Sequence, residues 1–328
     1  ALIRGGLVVV ISPLVALMED QVLQLRRRGI AAACLHAGLD PVRRQQAMAA
    51  LRDESLRLLY LAPERLQGEA TQRLLETHAA EGRLVALAVD EAHCISAWGH
   101  DFRPDYRRLG LIRRLCPGVP MLALSATAAP RVRADILRLL DLRSPLVQVS
   151  SARRENLRYA MQRRPRDPMP QVLEALEQSR GATLIYARTR RSVEHWAERL
   201  QGESVEATPY HAGLDPATRQ TALTQFLEQE RPVLVATVAF GMGVDRGDVG
   251  LVLHLDLPST PEGYLQESGR AGRDGQPARC LVLFSPGDRT SLGWAMQAAA
   301  GRGTTPDERH RLDLAQQQLR RMEAVAGG

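Results

Sequence analysis

The sequence predicts an α/β protein made of two similar units in tandem, each a parallel β-sheet flanked by helices, followed by a helical tail. Three observations predict it. The 328 residues suffice for two domains at ~150 residues each. Short apolar runs alternate with stretches of helical period, the pattern of βαβ units. The hexapeptide His36-Ala37-Gly38-Leu39-Asp40-Pro41 also returns unchanged, 175 positions later, as His211-Ala212-Gly213-Leu214-Asp215-Pro216.

Taken in order, Leu7–Ile11 reads as a strand, and Leu17, Met18, Gln21, Val22 and Leu25 follow at helical spacing. Each hexapeptide ends in Asp-Pro, an N-cap residue followed by a residue suited to the first helical position. Helices are therefore predicted from Pro41 to about Leu51 and from Pro216 to Gln229, with strands after them at Leu58–Leu61 and Val233–Ala236. Whether His36 and His211 serve only these helix starts or take part in chemistry, the spacing leaves open. The later copy also supplies a strand at Thr183–Tyr186 and a helix at Ser192–Leu200. Between the copies, Ala86–Val89 and Met121–Leu124 read as buried strands, and Val147–Val149 as a short strand closing the first unit.

A charged, proline-punctuated link runs through Arg153-Arg154, Arg163-Arg164-Pro165-Arg166, Pro168 and Pro170. The expected domains are 1–149, 150–290 and a helical segment 291–328. In the last, Thr305-Pro306-Asp307-Glu308 forms a capping box. Leu312, Ala315, Leu319 and Met322 then make one helical face, with nothing evident in the chain to cover it, so the segment is expected to open a further module.

Basic residues number 43 against 37 acidic, a net charge of +6, and every basic residue is arginine. With 45% apolar and 24% charged residues, global disorder is excluded. The balance permits a nucleic-acid partner without requiring one. Four scattered cysteines exclude a disulfide framework and a clustered zinc site, which favours a reducing compartment. No apolar run approaches the ~20 residues of a membrane span. Arginine without lysine suggests a GC-rich bacterial genome, so the expected location is the bacterial cytoplasm, at the nucleoid. Without an initiator Met or a signal pattern, the chain reads as beginning inside a domain.

The Ala86–Val89 strand ends in Asp90-Glu91-Ala92-His93. Carboxylates at the carboxyl end of a parallel strand sit where open α/β sheets bind ligands. Two adjacent acids there are either a solvated pair at a strand end or divide labour, one holding a hydrated Mg²⁺ and the next polarising the water that attacks a γ-phosphate.

The stretch Asp90-Glu91-Ala92-His93-Cys94-Ile95-Ser96-Ala97-Trp98-Gly99-His100-Asp101-Phe102-Arg103-Pro104 resembles the RecQ group of superfamily 2 DNA helicases, and the similarity runs from Leu7 to Phe284. It implies two tandem RecA-like domains, with Asp90, Glu91 and His93 at the nucleotide. It further implies an aromatic-rich loop that senses single-stranded DNA through Trp98, His100, Phe102 and Arg103. Trp98 and Phe102 offer stacking faces worth ~1–3 kcal/mol per base; Ala97 departs from the polar residue of the family. Ser12-Pro13-Leu14 resembles a segment touching the DNA backbone, and Ala62-Pro63-Glu64-Arg65-Leu66 another strand-tracking turn. Ser125-Ala126-Thr127 resembles the motif coupling hydrolysis to unwinding.

In the second unit, Ala236 to Asp245 resembles the family's glycine-bearing loop, with Thr237 on the DNA side and Gly243 and Asp245 at the nucleotide. Arg246-Gly247 replaces the usual basic-Pro pair, leaving Arg246 for a phosphate. Gln266-Glu267-Ser268-Gly269-Arg270-Ala271-Gly272-Arg273-Asp274-Gly275 resembles the arginine-finger motif. Arg270 and Arg273, three apart, are expected on one face of a helical turn, both reaching a γ-phosphate.

The resemblance implies ATP-dependent, 3′-to-5′ unwinding of duplex DNA in recombination and repair, with ATP and Mg²⁺ as cofactors. Single-stranded and duplex DNA are the expected partners, with no membrane. It also implies a phosphate loop ending in Lys-Ser/Thr before Ala1 and a zinc module after Gly328. Residues 1–328 contain no lysine, so alone they are expected to hydrolyse ATP weakly or not at all. Two other readings stay in view. An RNA helicase of the same superfamily is opposed by the Trp98–Arg103 loop, and a non-catalytic DNA-binding derivative by the intact Asp90, Glu91, Arg270 and Arg273.

Overall fold

The computed structural model describes every residue except 1, 2, 4, 97–101, 152, 239, 241–245, 286, 294–312, 314, 315, 318, 323 and 325–328. The chain divides into two units, Ala1–Val149 and Ser150–Gly328.

In the first unit β1 (Leu7–Ile11), α1 (Val15–Arg27), β2 (Ala32–Leu35), α2 (Pro41–Arg52) and β3 (Leu58–Leu61) are followed by α3 (Glu69–Ala80), β4 (Leu84–Val89), α4 (Gly110–Leu115), β5 (Met121–Ala123) and α5 (Pro130–Leu139). The five strands form a wholly parallel sheet in the order β2-β3-β1-β4-β5. Val9, Ile11, Leu59, Leu61, Leu87 and Val89 are fully buried and make the inner layer of the core. All six lie on one face; on the other, Cys34 and Tyr60 pack with Met18 and Val22 of α1, and this two-sided cover is what the apolar runs of the sequence encode.

Asp40 caps α2 as expected, its side chain accepting from the backbone N–H groups of Val42 and Arg43. The strand expected at Val147–Val149 is absent: the segment is irregular, and Leu146, Val147 and Val149 stand exposed. Apolar residues alone do not make a strand, and this segment lies in no hydrogen-bonded ladder. Leu122, on the edge strand β5, is also exposed.

The second unit contains β6 (Leu157–Arg163), α6 (Met169–Glu177), β7 (Ala182–Tyr186), α7 (Arg190–Gly202), β8 (Ala207–Tyr210), α8 (Pro216–Glu228), β9 (Val233–Ala236), β10 (Val249–His254), α9 (Pro261–Ser268) and β11 (Ala278–Phe284). Its parallel sheet runs β6-β11-β10-β7-β9-β8. The repeat extends to strand register. Val8 faces Leu58 in the first sheet, and Thr183 faces Val233 in the second, each partner 175 positions on. Ala32 facing Leu58 has the same counterpart in Ala207 facing Val233.

The tail corrects another expectation. Leu319 and Met322, in helical backbone, are buried against Leu257, Tyr264, Val282 and Leu292 of the second unit. Leu312 and Ala315 of the same expected face, and the capping box at 305–308, lie outside the described residues; the described part has a cover, because α9 and β11 leave an apolar surface on this side.

Gly250 lies where β10 shifts register against β7, and a Cβ there would stand 1.8 Å from the Arg180 carbonyl oxygen. Backbone cannot yield as a side chain can, so Gly250→Ala is expected to destabilise the second unit by about 3 kcal/mol. Chemical denaturation followed by circular dichroism checks this; an unchanged midpoint would contradict it.

Candidate nucleotide and nucleic-acid site

The carboxyl ends of β1, β4 and β5 gather the candidate groups of the first unit. The Asp90 N–H donates to the Ile11 carbonyl at 2.8 Å and the Ala92 N–H to the Leu124 carbonyl at 2.8 Å, so the ladder continues past the strands and fixes the turn. Asp90 Oδ2 accepts from Ser12 Oγ at 3.3 Å, and Asp90 Oδ1 accepts from the Glu91 N–H at 2.9 Å. Glu91 has a left-handed backbone, with φ of 46°.

His93 is buried, its Nδ1 lying 3.0 Å from Ser125 Oγ and 3.3 Å from Glu91 Oε2. Ser125 spends its hydroxyl hydrogen on the Thr127 carbonyl at 2.9 Å, so its oxygen accepts and His93 Nδ1–H donates. Glu91, His93, Ser125 and Thr127 thus form one polar chain across the ends of β4 and β5. The Thr127 hydroxyl is buried without a hydrogen-bond partner among the described residues.

Of the aromatic-rich loop, Trp98 and His100 lie outside the described residues. Phe102 is half-buried with the Arg107 guanidinium 5.0 Å from its ring centre. Arg103 donates from Nη1 to the Pro13 carbonyl at 3.0 Å and from its N–H to the Cys94 carbonyl at 3.0 Å. This joins the loop to the Ser12-Pro13 turn. Tyr106, which the sequence did not single out, donates from its hydroxyl to the Asp90 carbonyl at 3.0 Å.

In the second unit, Gly243 and Asp245 lie outside the described residues. Thr237 follows β9 half-buried, its N–H donating to the Tyr210 carbonyl at 3.2 Å. Arg246, expected to face a phosphate, is spent within its own unit. It bonds both oxygens of Asp248, at 2.6 and 2.9 Å, and the Phe226 and Glu230 carbonyls, with its guanidinium 5.6 Å from the Phe226 ring centre.

Arg270 and Arg273 are not on one helical face. α9 carries Gln266 in its last turn and stops at Ser268; Gly272, with φ of 54°, then reverses the chain between the two arginines. Arg270 is buried, beside the Tyr186 hydroxyl, while Arg273 is exposed. Around Arg270 stands a cradle that no spacing or motif announced. Tyr186 donates to the Phe240 carbonyl at 3.1 Å and stacks on His254 at 5.0 Å, and His254 Nε2 meets Glu267 Oε2 at 2.7 Å. Burial pushes the Tyr186 hydroxyl well above the ordinary phenol range, so it remains protonated.

The repeated histidines are both buried, and each lies beside a glutamate. His36 Nε2 lies 3.4 Å from Glu19 Oε1, and His211 Nε2 lies 3.1 Å from Glu194 Oε1. The two glutamates are themselves 175 positions apart. His211 Nδ1 accepts from the Gly213 N–H at 3.2 Å, which pins the turn into α8.

Among the described residues, no three His, Cys, Asp or Glu side chains gather into a metal cluster, and no helix is long and apolar enough to cross a membrane. All four cysteines are buried and free, and burial pushes the Cys116 thiol up to about 11 and Cys280 to about 12. Neither is a thiolate at neutral pH. A lone Asp90 is compatible with Mg²⁺, which usually keeps several waters and binds one or two carboxylates alongside substrate phosphates.

Residues 2–136 match the DEAD/DEAH box helicase family, and residues 167–275 the helicase conserved C-terminal domain. The chain is 42% identical over 289 residues to the ATP-dependent DNA helicase RecQ of Pasteurella multocida, covering 88% of this chain and 45% of that protein. RecQ of Haemophilus influenzae is 38% identical over 95% of this chain and 50% of its own length. The ATP-dependent helicase SGS1 of Saccharomyces cerevisiae is 36% identical over 93% of this chain and 21% of that protein. The chain therefore spans half or less of the length of these relatives.

Among solved structures, Mycobacterium smegmatis helicase Lhr bound to ssDNA and AMP-PNP aligns at a TM-score of 0.62 and 18% identity, over 92% of this chain and 43% of that one. Mss116p bound to ssRNA and AMP-PNP aligns at 0.65 and 18%, over 90% of this chain and 62% of that one. These distant likenesses bear out the fold of paired parallel-sheet α/β domains. With more than a third of residues identical across both units, the chain carries the two helicase domains and is similar to RecQ helicases over most of its length.

Proposed function

We propose that this chain is the motor of a 3′-to-5′ DNA helicase that hydrolyses ATP to separate strands during recombination and repair, in the bacterial cytoplasm at the nucleoid. The observation that carries the reading is the polar chain Glu91–His93–Ser125–Thr127, set beside Asp90 at the carboxyl end of a parallel sheet. That is where such sheets bind ligands.

In this reading Asp90 holds the waters of a Mg²⁺ ion, whose charge when bound offsets that of the phosphates. Glu91 accepts the proton of the attacking water. His93 carries the state of Glu91 to Ser125 and Thr127. In the second unit, Arg270, Arg273, Gln266, Gly243 and Asp245 are the residues assigned to the nucleotide. Ser12, Trp98, His100, Phe102 and Arg103 of the first unit, and Thr237 of the second, are the residues assigned to DNA. Support for DNA over RNA comes from the named relatives, which are DNA helicases.

The test is ATP hydrolysis by the full-length protein with single-stranded DNA or RNA of equal length. Strong stimulation by DNA alone is expected; stimulation by RNA alone, or by neither, would overturn the reading. Residues 1–328 by themselves, which contain no lysine to hold the β- and γ-phosphates, are expected to turn over weakly. Single-turnover rates equal to those of the full-length protein would refute this.

A further inference from the structure

Glu91 is one of five non-glycine residues with positive φ among the described residues, at φ 46° and ψ 45°. A side chain there is sterically costly, and the conformation persists only where surrounding structure holds it. The peptide preceding that φ, between Asp90 and Glu91, is held at both ends. Its N–H donates to Asp90 Oδ1 at 2.9 Å, and its carbonyl accepts from the Tyr106 hydroxyl at 3.0 Å.

Tyr106 is fully buried. Desolvation, reinforced by nearby Cys94 and Asp90, raises its hydroxyl far above the ordinary phenol range, so it is always available as a donor. It lies in the 3₁₀ turn Pro104–Leu109, which begins directly after Phe102 and Arg103. Its N–H donates to the Arg103 carbonyl at 3.0 Å. Arg103 in turn reaches the Cys94 and Pro13 carbonyls. A single turn thus joins the arm of the aromatic-rich loop to the backbone that aims Glu91.

We propose that Tyr106 is a positioning residue: its hydroxyl clamps the Asp90–Glu91 peptide, holds Glu91 in its left-handed conformation, and passes movement of the Phe102–Arg103 arm to the Glu91 carboxylate. The consequence for hydrolysis rests on the role of Glu91 proposed above; the clamp itself does not. A tyrosine kept only to fill the core would be replaceable by phenylalanine, which preserves the ring.

The test is Tyr106→Phe in the full-length protein. Melting is expected to fall by only a few degrees, the cost of one buried carbonyl left unpaired. DNA-stimulated kcat is expected to fall about 10-fold, the scale of leaving one buried acceptor unpaired, with KM for ATP and affinity for single-stranded DNA unchanged. Amide exchange in peptides containing Glu91 is expected to quicken. In a Glu91→Gln background, Tyr106→Phe is expected to cost nothing further, since both changes then act on one group.

Unchanged exchange at Glu91 together with parental kcat would overturn the proposal, as would equal losses in both backgrounds. Should Tyr106→Phe lower melting substantially, Tyr106→Trp, also expected to lose the bond while keeping an aromatic ring, is to show the same quickened exchange; if it does not, the clamp is refuted. A parent protein without DNA-stimulated hydrolysis would end the functional reading, while the exchange result would still decide the clamp.

Discussion

Glu91→Gln in the full-length protein is expected to bind ATP and single-stranded DNA normally while its hydrolysis falls by ~10²–10⁴, the usual contribution of a general base. The amide keeps the size and shape of the carboxylate and can still accept from His93 Nδ1, 3.3 Å from Glu91 Oε2 in the parent. It cannot take a proton from water. Equilibrium binding beside single-turnover hydrolysis separates the two properties. Unwinding retained in the variant would remove Glu91 from the role of base.

Removing either finger-motif arginine is expected to cost more, ~10³–10⁵ in turnover for an arginine that stabilises a transferring phosphoryl group. The two differ in a way that spacing alone does not suggest. Arg273 is exposed, so Arg273→Ala is expected to lose hydrolysis with folding stability unchanged. Arg270 is buried beside Tyr186, in the cradle that Glu267 and His254 complete, so Arg270→Ala is expected to lower both. Paired denaturation curves and single-turnover rates check this. Equal stability losses in the two variants would contradict it, and a wild-type rate in Arg273→Ala would remove that residue from the chemistry.

Periodicity and capping chemistry made much of the fold legible. β1, α1, α2 and β3 fall where apolar spacing and Asp40-Pro41 place them, because both signals are local. β2 and β8 escaped notice because Ala32–Leu35 and Ala207–Tyr210 are short and open in alanine, and because Pro209 reads as a strand breaker. Both are edge strands, where proline is tolerated. The motif residues could be named from sequence, but the groups that hold them could not. Tyr106 meets Asp90 only after β4, the loop and the following turn have folded, and Glu19 finds His36 only after α1 has packed on β2. Spacing alone does not tell whether a basic residue after a glycine loop faces a ligand or, as Arg246 does here, Asp248. The helix assumed for Arg270 and Arg273 failed at Gly272, whose positive φ favours a turn.

The pairing of β6 with β11 sets the order in which the second unit can be made. Among the described residues, its earliest strand finds its only sheet neighbour in its latest one. During synthesis, Leu157–Arg163 must therefore wait until Phe284 has left the ribosome before the sheet can close. Nascent chains stopped short of Ala278 would leave two strands, β6 and β10, each lacking a neighbour, a species prone to misassociation.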